Sequence, residues 1–343
     1  MKIHSFLLFV IALAFDSAYS KEPDYLANLS PYHAHRPVSG TIRIGGNPYI
    51  PELMQAWQDG FQKHQPGVGF VTDMKGTETA MAGLYANIAD IVFIGREPYR
   101  PEIEAFEDWY GYSPTGVKIT SGSYATQHKT FALMVYVNKK NPLSKLSLSQ
   151  LDALYGVERK RGAKSAIRTW GQLRLSGSWR HRPVHVYGYN FDTGMAGFFK
   201  LTVLKGSDRW NPELREFDNG RTADGNVINA GTYILNALAN DPDGIAFANV
   251  LFENTSVKSI SLAEKNGGPY FAPSKEMAWR RDYPLTRYST AFINRPPGHE
   301  VDPKVEEFLR YILSRDGMEA VVNDAAFLPL NIEEIRNGLK TLD

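Results

Sequence analysis

Hydrophobic residues along the chain follow two periods, and segments of the two kinds alternate. Residues 41–44 alternate with a period of two, as a strand does, and residues 52–64 place Leu53, Trp57 and Phe61 on one face of a helix. Because this order recurs, the sequence predicts an α/β protein with mostly parallel sheets, which carry ligands at the carboxyl ends of their strands. Further strands are predicted at 68–71, 88–94, 117–119, 131–137, 184–188, 245–247 and 290–293, further helices at 81–85, 146–154, 198–204, 231–240 and 303–323, and a surface connection at 273–283.

Asp192, Thr193 and Gly194 form a turn between a predicted strand and a predicted helix. Such a turn aims unpaired backbone N–H groups and the positive end of the helix dipole at one point, which makes it a natural anion site. Alternatively, Asp192 or Thr193 is an ordinary N-cap of the helix. The turns at 45–49 and 76–79 precede predicted helices in the same way, so the same choice between anion contact and capping arises there.

The composition indicates a protein of two lobes without a strong overall charge. A chain of 343 residues is too long for one small core, and its 38 basic and 37 acidic residues give a net charge of +1. No global field therefore draws the protein to nucleic acid or to an anionic membrane, and anion binding must come from a local site. The absence of cysteine excludes disulfides, thiolate metal sites, a cysteine nucleophile and a lipid-modified cysteine.

The first 20 residues have the features of a secretory signal peptide. Lys2 precedes an apolar run at 6–15, and small residues such as Ala18 follow it where cleavage would occur. The run is short for a membrane span, so we predict a protein exported to the periplasm without a stable membrane anchor. Residues 21–40 are polar and aromatic without a period, and we predict that they form an extended N-terminal lead.

Sequence signatures of catalysis are weak. Ser121 and Ser123 lie near His128, but Ser and His that are close in sequence rarely form a catalytic pair. The sequence contains no nucleophile elbow, zinc-protease motif, Walker loop or dinucleotide fingerprint, so it predicts no enzyme, no cofactor and no bound metal. A secreted hydrolase remains a third hypothesis. The basic, aromatic stretch at 179–182 is interpreted as surface rather than as a nucleic-acid site.

Several stretches between residues 41 and 331 together resemble the periplasmic phosphate-binding proteins that serve ABC transporters. They occur in the order and at the spacing of that family along most of the chain. The stretches are GTET at 76–79, IADI at 88–91, REP at 96–98, VYVNKKNPL at 135–143, RPVHVYG at 182–188, DGIAF at 243–247, YPL at 283–285, NRPPG at 294–298, EEFLR at 306–310 and FLPL at 327–330.

This resemblance implies the two-lobed periplasmic binding protein fold of type II, with a ligand cleft between the lobes. The first lobe would comprise residues 41–134 and 286–343, and the second lobe residues 135–285. Four turns of the two lobes would hold a small oxyanion between helix N-termini and hydroxyl groups. Carried over one at a time, the ligand-binding positions fall on Pro48, Tyr49, Thr77, Arg96, Tyr189, Asp192, Thr193 and Gly194.

The fourth turn departs from the family's pattern, in which an arginine and two variable residues precede Gly-Ser-Gly-Thr. Tyr189 stands in place of the arginine, Asp192 in place of the first glycine and Met195 in place of the last hydroxyl, whereas Thr193 and Gly194 keep the pattern. Loss of the arginine removes charge-assisted hydrogen bonds worth roughly 1.5 to 3 kcal/mol each, and Asp192 brings a negative charge towards an anion. The scaffold is therefore predicted to be kept and the ligand contacts to be altered.

The third turn, Gly95-Arg96, lacks the carboxylate with which some members of the family accept a proton from the bound ion. Positive charge lost from the fourth turn can be supplied by Arg96, Lys129, His128 or Arg221, and the sequence does not show which of them faces the cleft.

Each ligand candidate also has a purely structural interpretation. Thr77 and Thr193 can cap helices, and capping is compatible with ligand contact. Arg96 can form an ion pair with Glu97 or with another acid.

The remaining candidates are equally ambiguous from sequence. Tyr49 and Tyr189 can donate phenolic hydrogen bonds or merely pack. Asp192 can cap the helix, accept from a cationic ligand or indicate that no oxyanion binds. Asp90 interrupts an apolar strand, where a charge is costly unless it is paired, so we predict that it is a structural hydrogen-bond acceptor.

The leading hypothesis is a non-enzymatic periplasmic binding protein that closes its lobes around a small oxyanion, with phosphate favoured. It would act as a monomer and deliver its ligand to an ABC permease. The alternative is a sensor or interaction protein that uses the same fold with a degenerate cleft, which the altered fourth turn allows.

Overall fold

The structure is a computed structural model that describes residues 24–126 and 129–343. The predicted signal peptide at 1–20, the start of the predicted lead and His128 lie outside the described residues. The strands are β1 Gly40–Gly46, β2 Val68–Asp73, β3 Ile91–Ile94, β4 Thr115–Ser121, β5 Met134–Asn138, β6 Lys145–Ser147, β7 His185–Tyr189, β8 Arg215–Phe217, β9 Gly220–Arg221, β10 Val227–Ile228, β11 Gly244–Ala248, β12 Val257–Ser259, β13 Ser261–Ala263 and β14 Tyr288–Ile293. The α-helices are α1 Pro51–His64, α2 Ala80–Tyr85, α3 Arg100–Tyr110, α4 Leu148–Tyr155, α5 Gly194–Thr202, α6 Ala230–Ala239, α7 Lys275–Arg280, α8 Pro303–Ile312, α9 Arg315–Asp324 and α10 Ile332–Leu342.

Two five-stranded sheets form the framework of the protein. The first has the order β2-β1-β3-β14-β4 and the second the order β12-β5-β11-β7-β8. In the first sheet β1 is parallel to β2 and β3, whereas β14 is antiparallel to β3 and β4. In the second sheet β7 is parallel to β11 and β8, whereas β5 is antiparallel to β11 and β12. In each sheet four of the five strands therefore run in the same direction, so the prediction of mostly parallel sheets is confirmed. The exceptions are β14 and β5, the strands by which the chain re-enters the first sheet and enters the second.

Each sheet is packed against helices around a hydrophobic core of its own, so the predicted two-lobed α/β fold is confirmed. In the first lobe, Trp57 and Phe61 of α1 are fully buried together with Phe308 of α8. In the second lobe, Phe199 of α5 stacks on Phe247 of β11 with 3.9 Å between the ring centroids. These positions are the ones that the helical and alternating periodicities select.

The segment that precedes β1 packs on the first lobe through a buried carboxylate. Glu307 of α8 is fully buried, and it accepts hydrogen bonds from the Tyr32 hydroxyl at 2.5 Å and from the backbone N–H groups of His35 and Arg36 at 3.0 and 3.2 Å. A buried carboxylate is stable only when it is hydrogen-bonded in this way. The predicted lead is thus attached to α8, and it contains a turn at 25–28 rather than being extended throughout.

Two segments join the lobes and run side by side, and the structure describes the first at 122–126 and 129–133 and the second at 283–287. The Gly122 N–H donates to the Arg287 carbonyl oxygen at 2.6 Å, which holds the two segments together where they leave the first sheet. Such a pair of adjacent connections can act as a hinge, because small changes in a few backbone dihedrals reorient one lobe against the other.

The second crossing segment is anchored to the first lobe by α7. This helix lies within the predicted surface connection at 273–283, which is therefore wrong in part, and the Ser274 hydroxyl caps it by accepting from Met277 N–H at 3.1 Å. The ring of Trp279 lies 5.0 Å from that of Tyr25 between centroids, and the Arg281 guanidinium donates to Glu334 of α10 at 2.6 Å.

The predicted strand at 88–94 begins only at Ile91. Ile88 is 69% exposed and precedes the sheet, and Asp90 accepts from the Arg43 backbone N–H at 2.8 Å and from its guanidinium. Burial raises the pKa of Asp90, but the hydrogen bonds and charge of Arg43 outweigh it, so the pKa lies below its ordinary value. The prediction that Asp90 is a structural acceptor is confirmed.

The predicted continuous helix at 303–323 is divided into α8 and α9. The chain leaves the helical path after Ile312, and the Ser314 hydroxyl accepts from Gly317 N–H at 3.3 Å to begin a new helix. Serine is a favoured N-cap residue, so the break has a local cause that the apolar periodicity did not reveal. The helices α3 and α10 were not predicted.

We expect the ion pair between Arg281 and Glu334 to make stability depend on pH. Glu334 also accepts from the Tyr288 hydroxyl and from Asn331 N–H; burial raises its pKa, but these groups outweigh burial and hold the pKa below its ordinary value. A lowered folded-state pKa contributes stability that is present above the unfolded pKa of about 4.3 and is lost as the pH falls through the folded pKa. Glu334→Gln should therefore lower the free energy of unfolding by about 2 kcal/mol at pH 7, and the difference from wild type should shrink towards pH 3.

Urea unfolding at the two pH values measures this effect. Glu333→Gln is the matched control, because Glu333 lies on the same helix and is exposed. An equal difference between wild type and Glu334→Gln at pH 7 and pH 3 would contradict the prediction.

Candidate functional site

The turns that follow β1, β2 and β3 meet at one edge of the first sheet. The Gly76 N–H donates to the Gly46 carbonyl oxygen at 3.1 Å, which joins the second turn to the first. The Asn47 N–H donates to the Phe93 carbonyl oxygen at 2.9 Å, which joins the first turn to the strand that leads to the third. The parallel arrangement of these three strands explains why their carboxyl ends come together.

The first turn presents Pro48 and Tyr49 to solvent. Buried Asn47 holds the turn by accepting the Tyr49 N–H at 3.0 Å, and Tyr49 is 51% exposed. The Lys129 ammonium donates to the Tyr49 carbonyl oxygen. Of the predicted alternative cations, Lys129 therefore lies at this turn.

The second turn places Thr77 in a buried position before α2. Its carbonyl oxygen accepts the Ala80 N–H at 3.2 Å, but the N-cap of the helix is Thr79, so the interpretation of Thr77 as the capping residue is wrong. The helix α2 contains six residues, which limits the dipole that it can direct at a ligand. What this turn offers is the Thr77 hydroxyl and the backbone around it.

Arg96 in the third turn lies within a nearly buried ion pair. Its guanidinium donates to both carboxylate oxygens of Glu102 at 2.7 and 2.8 Å, and it stacks on the Tyr99 ring at 3.8 Å from the centroid. The Arg96 side chain is 10% exposed, and its Nε–H is buried without a hydrogen-bond partner among the described residues. The predicted salt bridge is thus formed with Glu102 and not with Glu97.

The environment of Arg96 keeps it cationic. Burial lowers its pKa, but the hydrogen bonds and charge of Glu102 outweigh burial, and the net pKa is raised above the ordinary value. The negative charge of Glu78 in the second turn contributes in the same direction, so Arg96 lies between two of the predicted ligand turns.

The fourth turn is built by Thr193 as the N-cap of α5. The Thr193 hydroxyl accepts the Ala196 N–H at 3.2 Å and donates to the Asn190 carbonyl oxygen at 2.8 Å, so the capping interpretation is confirmed. The first N–H groups of a helix have no intrahelical partner. Within the described part of the chain, those of Gly194 and Met195 make no hydrogen bond.

Tyr189 and Asp192 have different positions in the same turn. Tyr189 is 2% exposed and packs in the core of the second lobe with its ring 5.8 Å from that of Phe247 between centroids, so it packs rather than lining the cleft. Asp192 is exposed, and its carbonyl oxygen accepts the Tyr99 hydroxyl at 3.4 Å, which joins the rims of the two lobes.

The third and fourth turns meet between the lobes. A β-carbon placed on Gly194 would lie 3.6 Å from Cβ and Cδ of Arg96, so the start of α5 faces the side chain of that arginine. Glycine at this position leaves space for a small ligand or for the arginine itself. An N-terminal helix turn with free N–H groups opposite a buried guanidinium is an arrangement that binds anions.

One charged residue of this junction, Arg287, was missed from sequence. Arg287, whose side chain is 1% exposed, donates to the Glu97 carboxylate at 2.7 Å, and its guanidinium also reaches Met195 and Gly194. Arg287 could have been found from sequence as a lone charge close to the apolar residues around Leu285. A charge in such a segment needs a buried partner.

Arg221, another cation considered from sequence, donates to the Gly225 carbonyl oxygen in its own hairpin at 2.9 Å. No group of three or more His, Asp or Glu side chains suited to a metal ion occurs among residues 24–126 and 129–343. None of the helices in those ranges has the length and apolar content needed to cross a bilayer.

Two α/β lobes, a pair of adjacent crossing segments and a charged junction between facing strand-to-helix turns define a two-lobed binding protein. A family model for the PBP superfamily domain matches residues 32–316, and the chain accordingly belongs to the PBP superfamily. Its membership in this family of binding proteins agrees with the prediction from sequence that it is not an enzyme.

Two known proteins and two crystal structures are similar to this chain. Phosphate-binding protein PstS of Pseudomonas aeruginosa is 29% identical over 314 residues, which cover 92% of this chain and 90% of that protein. Protein SphX of Synechococcus elongatus is 22% identical over 84% of this chain and 77% of its own length. The crystal structure of PstS from Borrelia burgdorferi has a TM-score of 0.53 at 15% identity, covering 85% of this chain and 100% of that one. An ABC-type phosphate transport receptor from Vibrio cholerae has a TM-score of 0.51 at 16% identity, covering 84% and 99%. These structures establish the likeness of the fold.

Proposed function

We propose that the protein captures phosphate in the cleft between its lobes and delivers it to an ABC permease. The similarity to Phosphate-binding protein PstS of Pseudomonas aeruginosa over nine-tenths of both chains supports the choice of phosphate. The ligand positions in this proposal are Pro48, Tyr49, Thr77, Arg96, Asp192, Thr193 and Gly194, whereas Tyr189 contributes to the core that supports the fourth turn.

The observation that carries the proposal is the unpaired donor of Arg96. A buried polar group without a partner is costly, and a buried guanidinium N–H is best satisfied by an oxyanion. This donor belongs to a side chain that lies beside Gly194, the first residue of α5, where two backbone N–H groups are also free. One oxyanion between them would accept from both lobes.

Capture by such a cleft follows a hinge mechanism. A ligand that accepts from Arg96 and Thr77 of the first lobe and from Gly194 of the second makes more contacts when the lobes are closed. It therefore shifts the population towards the closed state by the free energy of those additional contacts. A permease that recognises the closed state would then receive loaded protein in preference to empty protein.

The cellular setting is part of the proposal. We propose that residues 1–20 direct export, that the protein acts in the periplasm without a membrane anchor, and that it functions as a monomer with the permease as its macromolecular partner. Its charge of +1 gives no reason to expect nucleic acid as a partner.

A second candidate function is a sensor or interaction protein with a degenerate cleft. It is favoured by Met195, which lies at the start of α5 where a hydroxyl would serve an oxyanion and which accepts a contact from Arg287 instead. In this case the lobes would be held together by protein contacts, and no oxyanion would be required.

Isothermal titration calorimetry separates the two candidates. The exported protein is unfolded, dialysed to remove carried-over ligand, refolded and titrated with phosphate, sulfate and molybdate. The proposed function predicts saturable binding of phosphate that is tighter than that of the other two ions. Absence of heat with all three ions, from protein with native circular dichroism, would favour the sensor and contradict phosphate capture.

A further inference from the structure

We infer that Arg287, on the second crossing segment, supplies the cationic ligand contact that the fourth turn lost when tyrosine occupied position 189. This inference rests on the proposed function, because it concerns the oxyanion held in the same cleft. It assigns a ligand-contacting and lobe-coupling role to a residue outside the four turns.

Arg287 reaches both lobes from the hinge. Its Nη2 donates to a carboxylate oxygen of Glu97 in the first lobe at 2.7 Å and approaches the Gly194 carbonyl oxygen in the second at 3.4 Å. Its Nη1 lies 3.2 Å from the Met195 sulfur, and the guanidinium carbon lies 5.1 Å from the centre of the Phe198 ring. A side chain that is 1% exposed thus ends at the first turn of α5.

The donors of Arg287 are not fully used by these contacts. A guanidinium has five N–H groups, and a thioether sulfur is a weak acceptor. The Nη1 group, directed at Met195, is therefore the least satisfied part of the side chain, and it lies where the free N–H groups of α5 begin. An oxyanion at this place would replace a weak acceptor by a charged one.

The charges at the junction favour the binding of an anion. Arg287 lies beside the positive end of the α5 dipole, and Arg96 faces the same glycine, so two cations and a helix N-terminus converge on Gly194. Glu97 and Glu102 balance the two arginines but leave the helix end and the unpaired Arg96 donor without an anionic partner. A small anion would complete the set.

Tyr189 explains why the cation comes from the hinge. The ring of Tyr189 fills the core of the second lobe, and burial raises the pKa of its phenol while the charge of Arg287 opposes that rise. Both residues adjoin the start of α5, since Tyr189 ends the strand that leads into its N-cap turn and the Arg287 guanidinium reaches Met195. The position that carries arginine in the family that this chain resembles is occupied by an uncharged tyrosine, and Arg287 brings a guanidinium to the same turn from another segment.

This placement also couples ligand binding to the hinge. Arg287 belongs to the segment about which the lobes move, and Gly122 N–H holds its carbonyl oxygen at 2.6 Å. An anion bound to the guanidinium would fix the crossing segment, the third turn and the start of α5 in one arrangement. Closure would then depend on the same contact that provides affinity.

Three single variants test the inference by calorimetry with inorganic phosphate. Arg287→Gln should weaken phosphate binding about tenfold or more, because charge-assisted hydrogen bonds are lost. Glu97→Gln should tighten binding about threefold, because it removes a negative charge from the site and frees the guanidinium. Arg281→Gln is the matched control: it also breaks an arginine–glutamate pair near the hinge, Arg281–Glu334, and should leave phosphate affinity unchanged.

The outcomes separate the inference from the function on which it rests. If wild type binds phosphate but Arg287→Gln binds it within twofold of wild type, the inference is overturned and the proposed function stands. Equal weakening by Arg287→Gln and Glu97→Gln also overturns it, because the pair would then be only structural. If Arg287→Gln does not fold, the direction of the Glu97→Gln effect decides, with unchanged or weaker binding counting against the inference. Failure of wild type to bind any oxyanion overturns both.

Discussion

Arg96→Gln is expected to lower the affinity for phosphate by about a hundredfold, which corresponds to about 3 kcal/mol. The substitution replaces a buried guanidinium that has an unpaired Nε–H and lies beside the start of α5, and it removes the positive charge that Glu102 balances. Glutamine keeps an N–H donor near the position of Nε but lacks the charge and the two terminal nitrogens, so the loss reports these features of the guanidinium. Calorimetric titration of the ligand-stripped variant with phosphate measures the change.

The matched control for this substitution is Arg100→Gln. Arg100 lies on the adjacent helix α3 and donates to Glu104 at 2.5 Å, but its side chain is 86% exposed. An exposed ion pair of this kind contributes little to the free energy of unfolding. Its loss should change neither stability nor phosphate affinity by a measurable amount. If Arg96→Gln has native circular dichroism and binds phosphate with wild-type affinity, Arg96 is not a ligand contact.

Breaking the Arg96–Glu102 pair also has a cost that must be separated from binding. Glu102 is 16% exposed and would keep its hydrogen bond from Tyr99 N–H at 2.7 Å, but it would lose its cationic partner. Arg96→Gln combined with Glu102→Gln removes both charges and restores stability if the loss is due to the unpaired carboxylate. Phosphate affinity should stay low in the double variant, because the ligand cation is still absent.

The fold was predictable where one face of an element is buried and the rest is exposed. The helix α1 meets this condition, because Leu53, Trp57 and Phe61 are buried on one side. The helix α3 has only a narrow stripe of this kind, Ile103, Phe106 and Tyr110, of which Phe106 alone is fully buried, and it was not predicted. The reversed direction of β5 and β14 was not predictable either, because it depends on where the crossing segments enter the sheets and not on the strand's own sequence.

The candidate site was predictable where its contacts are local. The cap that Thr193 forms involves residues within three positions of it, and the glycine and hydroxyl pattern of the turn indicates this contact directly. The pair of Arg287 and Glu97 joins residues 190 positions apart. No periodicity relates such residues, and only the packing of the crossing segment against both lobes brings them together.

The altered fourth turn shows how a core position and a ligand position are coupled. Once Tyr189 packs against Phe247, its side chain serves the second lobe and cannot reach a ligand as an arginine does. The need for positive charge opposite the α5 N-terminus does not disappear with that change. In our proposal Arg96 and Arg287 meet this need from the other side of the junction, so the chemistry of the cleft is conserved while its residues are not those of the family's pattern.

Gly46→Ala is expected to destabilise the protein by about 3 kcal/mol or more and to impair phosphate binding by any folded fraction. Gly46 has a φ of +134°, and a β-carbon there would lie 2.1 Å from the Phe93 carbonyl oxygen and 2.8 Å from the Phe93 nitrogen. Backbone atoms cannot rotate away as a flexible side chain can, so β1 and β3 must separate. Urea unfolding followed by tryptophan fluorescence measures the loss, and soluble yield with circular dichroism reports a variant that does not fold.

Gly111→Ala separates the cost of a positive φ from the cost of the steric clash with Phe93, both of which contribute in Gly46→Ala. Gly111 has a φ of +77°, but a β-carbon there would meet no atom within 4 Å, so this variant carries only the cost of a left-handed backbone, about 1 kcal/mol. The additional loss in Gly46→Ala therefore measures how tightly β1 must approach β3. Because Asn47 N–H is bonded to the Phe93 carbonyl oxygen beside this contact, the same separation would move the first turn away from Arg96. If Gly46→Ala lowers the free energy of unfolding no more than Gly111→Ala does, β1 and β3 can separate without cost. The close approach of the two strands would then not be needed to hold the first turn beside Arg96.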